Sequence, residues 1–300
     1  MTRATDRSAS LALEPMRELS HRDGFVTGTR RSIAAVWGRR ELLGMLVKRE
    51  VKSRYKDSTL GLVWSLVRPL VQLLIYFIAI GRFLGAERSI PDFAVYVFTG
   101  LTAWQLFSEI VSAGTVSIIT NSGIIKKIHL PREIFPLSSV GSALFNFVIQ
   151  LAILIVAALL IRGLNMVSYP LYAPAAIGII VVWGAALALV LSAANVYMRD
   201  VQYLVEVALL VGFWLSPIVY SWEMVNGAVG GGRLAEVYLA NPITLAVLAM
   251  QRSIWVAGSQ HPFPENMGTR LALAFAVGVL ALFIAQRLFD RMQRNFAQEI

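Results

Sequence analysis

The residues of this chain whose types could do chemistry recur at helical spacing. Thr102, Gln105, Glu109 and Ser112 lie three or four residues apart, which sets them on one helix face. Ser139, Ser142, Asn146 and Gln150 repeat the pattern further on. Ser65, Gln72, Tyr76 and Phe83 form a third stripe, with Arg68 near one edge. Amides, hydroxyls and aromatic rings arranged this way can do two things. They can join packed membrane helices by hydrogen bonds, or they can line a conduit for a polar cargo. Sugars suit such a lining, because hydroxyls need hydrogen-bond partners and the C–H faces of the rings lie well on aromatic rings.

Catalysis finds little support. The histidines are His21, His129 and His261, none at metal-ligand spacing, and cysteine is absent. Thiolate metal sites, thiol catalysis and disulfides are therefore excluded. No G-x-x-x-x-G-K-[ST] phosphate loop and no G-x-S-x-G elbow occurs. Intramembrane catalysis would need clustered acids or histidines, whereas Glu109 is the ionisable residue that stands out within an apolar run. We expect no catalytic residue and no metal ligand.

The elements that carry the stripes are membrane helices. Hydrophobic residues make up 57% of the chain, charged residues 15%, and mean hydropathy is +0.64; a soluble domain carries about a quarter charged residues. The charges cluster and leave apolar runs of the roughly twenty residues that a bilayer core requires. Six spans can be drawn, at about 60–80, 93–118, 135–161, 172–197, 201–219 and 269–285. Residues 1–60 hold thirteen Lys or Arg against seven acids, so the net charge of +9 reads as orientation rather than nucleic-acid binding. Lys126, Lys127 and Arg132 outweigh Glu133 between spans two and three, which sets that loop and both termini on the cytoplasmic side. Residues 1–30 have no apolar signal-peptide core and read as a flexible cytoplasmic tail ahead of a single transmembrane domain over 31–300.

Two further elements flank the spans. Leu42, Leu43, Leu46, Val47 and Val51 share a face over about 39–56, with Lys48, Arg49, Lys52 and Arg54 projecting mainly elsewhere. That pattern predicts an amphipathic helix along the membrane surface, as an anchor or as a docking surface for a cytoplasmic partner. Between spans five and six, Ser216-Pro217 and Asn241-Pro242 frame short apolar runs separated by Gly227 and Gly230 to Gly232. Runs of 10 to 14 apolar residues are too short to span, so two short re-entrant helices are expected on the outer side.

These segments carry a family resemblance. "LVKREVKSRYKDSTLGLVWSLVRPL" (46–70), "NSGIIKKIHLPREIFPLSSV" (121–140), "NVYMRDVQYLVEVALLVGFWLSPIVY" (195–220) and "NPITLAVLAMQRSIW" (241–255) resemble, in order and spacing, permeases of type-2 ABC exporters of polysaccharides. The resemblance implies an all-α membrane protein of six spans, a homodimer in the plasma (inner) membrane. It implies two copies of a separate ATPase subunit that binds ATP and Mg²⁺, with no cofactor on this chain, and a lipid-linked polysaccharide as cargo. Carried over, the coupling element is Ile124, Lys126, Lys127, Ile128, His129, Leu130, Pro131 and Arg132. The interfacial helix offers Lys48, Arg49, Lys52, Arg54 and Tyr55, and Arg68, Arg199 and Asp200 mark the cytoplasmic entrance. Conduit candidates are Gln72, Tyr76, Phe77, Tyr96, Phe98, Trp104 and Phe107. The outer gate is Ser216, Pro217, Tyr220, Asn241 and Pro242. The family exports O-antigens, capsules, teichoic acids and galactans. Twenty-two Arg to five Lys favours a GC-rich genome and, mildly, an actinobacterial wall galactan. An exporter of drugs or small lipids with the same architecture is the alternative; an ion-coupled transporter would need acidic or histidine relays across several spans.

Overall fold

The computed structural model describes residues 34, 36–55, 63–127, 130–161, 163, 169–293 and 296. The expected tail over 1–30, Ile128 and His129, and the side chains of Tyr55 and Ser65 lie outside the described residues. The described residues form helices α1 (Arg40–Tyr55), α2 (Val63–Tyr76), α3 (Phe93–Thr120), α4 (Ser122–Ile125), α5 (Ile134–Ile161) and α6 (Tyr172–Tyr197). They continue as α7 (Val201–Trp214), α8 (Trp222–Val229), α9 (Gly232–Leu239), α10 (Pro242–Ile254) and α11 (Met267–Met292).

Four of these, α3, α5, α6 and α11, are long and apolar enough to cross a membrane. Their bounds fall within a few residues of the expected second, third, fourth and sixth spans, although α11 runs about two turns past its expected end. The first span is less regular. Fourteen residues of α2 pass into a seven-residue π-helix, Phe77–Phe83. The i→i+5 pattern of a π-helix turns the residues beyond it off the α-helical face. Gly85, at φ +74°, ends the segment in a conformation that favours glycine. The fifth expected span is shorter than drawn: α7 has fourteen residues and stops at Trp214, about 21 Å at 1.5 Å per residue.

The core is built on α3 and α6, which approach where side chains are smallest. A Cβ added to Gly114 would lie 2.4 Å from the Ala188 Cβ, and one on Gly184 would lie 2.9 Å from the Ile110 side chain. Small residues let membrane helices pack backbone to backbone. On the other side of α6, the Trp183 Nε1–H donates to the Ala274 carbonyl at 3.0 Å and ties in α11.

One expectation gains detail and one is corrected. The amphipathic helix packs part of its apolar face on the bundle. Leu46 is buried with Ile118, Ile134, Phe135 and Phe289, and Val47 packs over Gly141 on α5. A continuous protein surface outcompetes lipid here, because it buries the same apolar stripe and also supplies partners for the cations beside it. Between α7 and α11, the structure has three short α-helices and a 3-10 turn (Val256–Gln260) rather than two helices. The Pro242–Ile254 helix is buried almost from end to end, against α6 and α3, and meets α9 at an 85° bend. Asn241 starts α10 by accepting from the Ile243 N–H at 3.0 Å, with Pro242 as its first residue.

Candidate functional site

Helical spacing places Gln105, Glu109 and Ser112 on one side of α3, and the packing turns that side toward α2 and α5. A cavity of about 750 Å³ results. Its wall includes Arg68 and Gln72 from α2, Gln105, Glu109 and Ser112 from α3, and Asn146 and Gln150 from α5. The three polar stripes therefore meet in one place. The stripes are not used whole: Thr102 is buried and donates to the Phe98 carbonyl at 2.8 Å, Ser139 borders a different cavity, and Phe83 is exposed.

Hydrogen bonding and cavity lining coexist. The Asn146 Nδ2–H donates to the Glu109 carboxylate at 2.6 Å while both residues border the cavity. Glu109 also pairs with Arg54, which reaches in from the last turn of α1. A carboxylate at this depth needs such a counter-charge, since an ionised group in lipid is costly. Glu109 does not stand alone among the acids either, because Glu206 of α7 borders the same cavity. An ionisable residue inside an apolar run was the signal that marks it. With Arg54 and Arg68 against Glu109 and Glu206, the wall is balanced in charge and rich in amides and hydroxyls.

The aromatic conduit candidates are dispersed. Trp104 and Phe107 line a separate, apolar cavity of about 580 Å³ between α3, α6 and α7. Tyr76 stacks on Phe213 at 5.7 Å, Phe77 lies under the Arg82 guanidinium at 5.4 Å, and Tyr96 and Phe98 are buried in the bundle. Of that group, Gln72 alone borders the polar cavity.

The segment after α7 is held by side-chain contacts that spacing did not mark. Beyond α7 the chain leaves helical geometry at Ser216 to Tyr220 while Ser216, Pro217, Ile218 and Val219 stay buried. Buried backbone outside a helix must find partners. The Tyr96 hydroxyl lies 2.7 Å from the Tyr220 carbonyl oxygen and 3.0 Å from that of Pro217, and the Gln251 Nε2–H donates to Pro217 at 2.8 Å. The Ser216 hydroxyl donates to Gly212 at 2.9 Å, and the Tyr220 hydroxyl donates to Trp214 at 2.7 Å.

The cytoplasmic candidates divide by what they touch. Lys126, Lys127, Lys48 and Lys52 are exposed, and Ile124, Leu130 and Pro131 are half-buried beside them. Arg49 donates instead to Asn121 at the end of α3, and Arg132 donates to the Gln293 carbonyl and stacks over Phe296. Burial pushes the neighbouring Glu50 carboxyl above its ordinary pKa, against the opposing pull of Arg54. Arg199 and Asp200 are exposed at the turn between α6 and α7.

Comparison with known proteins agrees with this architecture. Residues 41–255 match the ABC-2 type transporter family. The O-antigen export system permease protein RfbA of Myxococcus xanthus is 28% identical over 274 residues, 90% of this chain and 99% of the relative. Its Klebsiella pneumoniae counterpart is 25% identical over 86% of this chain and 94% of its own length. The polysialic acid transport protein KpsM of Escherichia coli is 28% identical over 119 residues, 39% of this chain and 44% of its own length. A family match across more than two-thirds of a multi-pass helical chain is decisive: the chain belongs to the ABC-2 type transporter family.

Proposed function

We propose that this chain is the membrane-spanning subunit of an ATP-driven exporter that moves a lipid-linked polysaccharide, a galactan in our preferred reading, from the cytoplasmic to the outer face of the inner membrane. It works as a homodimer with two copies of a separate ATPase, which binds ATP and Mg²⁺, and both termini face the cytoplasm. The carrying observation is the cavity where Gln72, Gln105, Asn146 and Gln150 converge. Amides serve both hydroxyl donors and acceptors, and two cations against two anions leave the wall without a net charge to trap a sugar chain. Relatives aligned over most of the chain are named for O-antigen export. The exposed Lys126 and Lys127, with Ile124, Leu130 and Pro131 beside them, form the face that meets the ATPase. Arg68, Arg199 and Asp200 mark the entrance, and Ser216, Pro217, Tyr220, Asn241 and Pro242 the exit.

The test is depletion of the chain in its own host. Lipid-linked glycan should accumulate on the cytoplasmic leaflet while its surface form disappears, and the parental chain should restore it. A variant carrying Gln105→Leu and Gln150→Leu should insert normally and fail to restore export. Unaltered surface glycan in the depleted cells would overturn the proposal, and so would loss of drug or small-lipid efflux in its place.

A further inference from the structure

A second cavity of about 710 Å³ lies beside the first, bordered by Arg49, Glu50 and Ser53 of α1 and by Asn121 and Lys127 after α3. Arg54, Ala113 and Val116 border both cavities. Ala113 and Val116 belong to the fixed wall of α3. Arg54 is the long, charged side chain at the boundary, and it spans that boundary to reach Glu109. We propose that the second cavity is the cytoplasmic antechamber of the first, and that the Arg54–Glu109 ion pair is the gate between them. The assignment of a cargo to this path rests on the proposed function; the gate itself does not.

The pair is built to exchange partners. Arg54 lies 3.6 Å from Glu50, one turn back on its own helix, so its guanidinium can leave Glu109 and remain paired. Glu109 keeps the Asn146 amide at 2.6 Å when Arg54 departs. Arg54 stays paired with Glu50, and Glu109 gives up its counter-charge but keeps a hydrogen-bond donor, so parting the pair costs less than leaving a buried charge with no polar partner. The two ends also lie on separate elements. Glu109 is fixed in the middle of α3, at 11% side-chain exposure, whereas Arg54 ends a helix that packs on the bundle from outside the spans. A shift of α1 against α3 therefore changes the gate directly.

The native chain has no cysteine, so single reporters are clean. Ser108→Cys reports on the inner cavity and Ser53→Cys on the antechamber. A membrane-impermeant cationic thiosulfonate is applied to the cytoplasmic face of inside-out vesicles holding the assembled protein. In an otherwise parental chain, Ser53→Cys should react fast and Ser108→Cys slowly. Glu109→Gln, which retains the bulk of both side chains but removes the charge, should speed modification at Ser108→Cys about tenfold and leave Ser53→Cys unchanged. The exchanged pair Arg54→Glu with Glu109→Arg should restore the slow rate. If Ser108→Cys reacts at the parental rate in Glu109→Gln while Ser53→Cys stays reactive, the pair is no gate. If Arg54→Met opens the path and Glu109→Gln does not, Arg54 fills the gap by bulk alone and the proposal falls. Modification requires no polymer, so a host that exports its glycan without this chain would overturn the proposed function and leave the gate result standing.

Discussion

The Tyr96 hydroxyl sits 2.7 Å from the Tyr220 carbonyl oxygen, joining the first turn of α3 to a buried stretch of chain that has left helical geometry. The same hydroxyl lies 3.0 Å from the Pro217 carbonyl, which also receives the Gln251 amide. Two side chains from two helices thus satisfy backbone that neither sheet nor helix can serve.

Tyr96→Phe removes the hydroxyl and keeps the ring. A buried acceptor that loses its donor costs about 1–3 kcal/mol, so the detergent-solubilised protein should melt earlier. Gln251→Leu should act in the same direction through Pro217. The two changes share an acceptor, so their effects should be non-additive. A double-mutant cycle in thermal unfolding measures this; strict additivity would show that Tyr96 serves Tyr220 alone.

Gly114→Ala tests the contact between α3 and α6. The added Cβ would stand 2.4 Å from that of Ala188, and helices that must part to admit a methyl lose about 1–3 kcal/mol. Ala188→Gly in the same chain should recover most of the loss. Yield of monodisperse protein and its melting temperature report the result, and a Gly114→Ala variant as stable as its parent would refute the close approach.

Lys126 and Lys127 are exposed, whereas Arg132 is occupied by Gln293 and Phe296. Replacing both lysines with Ala should weaken co-purification of the ATPase and lower export without changing the melting temperature. Each exposed pair contributes about 0–1 kcal/mol, so the double change is the informative one. Arg132→Ala should instead lower stability, because it frees the end of α11. Parental ATPase binding and export in the double-lysine variant would reduce that loop to an orientation signal.

Sidedness can be read with a thiol at Lys127 and another at Ala228, which is exposed on α8. Ala228 is the better outer position, since Gly231 has a φ of +70° that a cysteine would strain. The Lys127→Cys chain should label from the cytoplasmic face and the Ala228→Cys chain from the outer face. The opposite result would invert the assignment of entrance and exit.

The sequence by itself determined the elements. Long apolar runs must become helices in a bilayer, because no other local structure satisfies every backbone group without water; α3, α5, α6 and α11 follow from that requirement and their ends lie close to where charge returns. Period likewise put Gln105, Glu109 and Ser112 on one face of α3 and Asn146 and Gln150 on one face of α5. Only the tertiary structure decided that those faces meet, and that Arg54 crosses from another helix to neutralise Glu109. Contacts between side chains 55 positions apart leave no trace in local spacing. The same reason hid Gln251 and Tyr96, whose partners are carbonyls 34 and 121 or 124 residues away. The π-helix at Phe77–Phe83 rotated Phe83 off the expected stripe, since a face drawn at 3.6 residues per turn holds only while the helix keeps that pitch. The fate of α10 was decided by competition: an apolar stretch too short to span can lie at an interface or be buried in protein, and the surface offered by α3 and α6 drew it into the core.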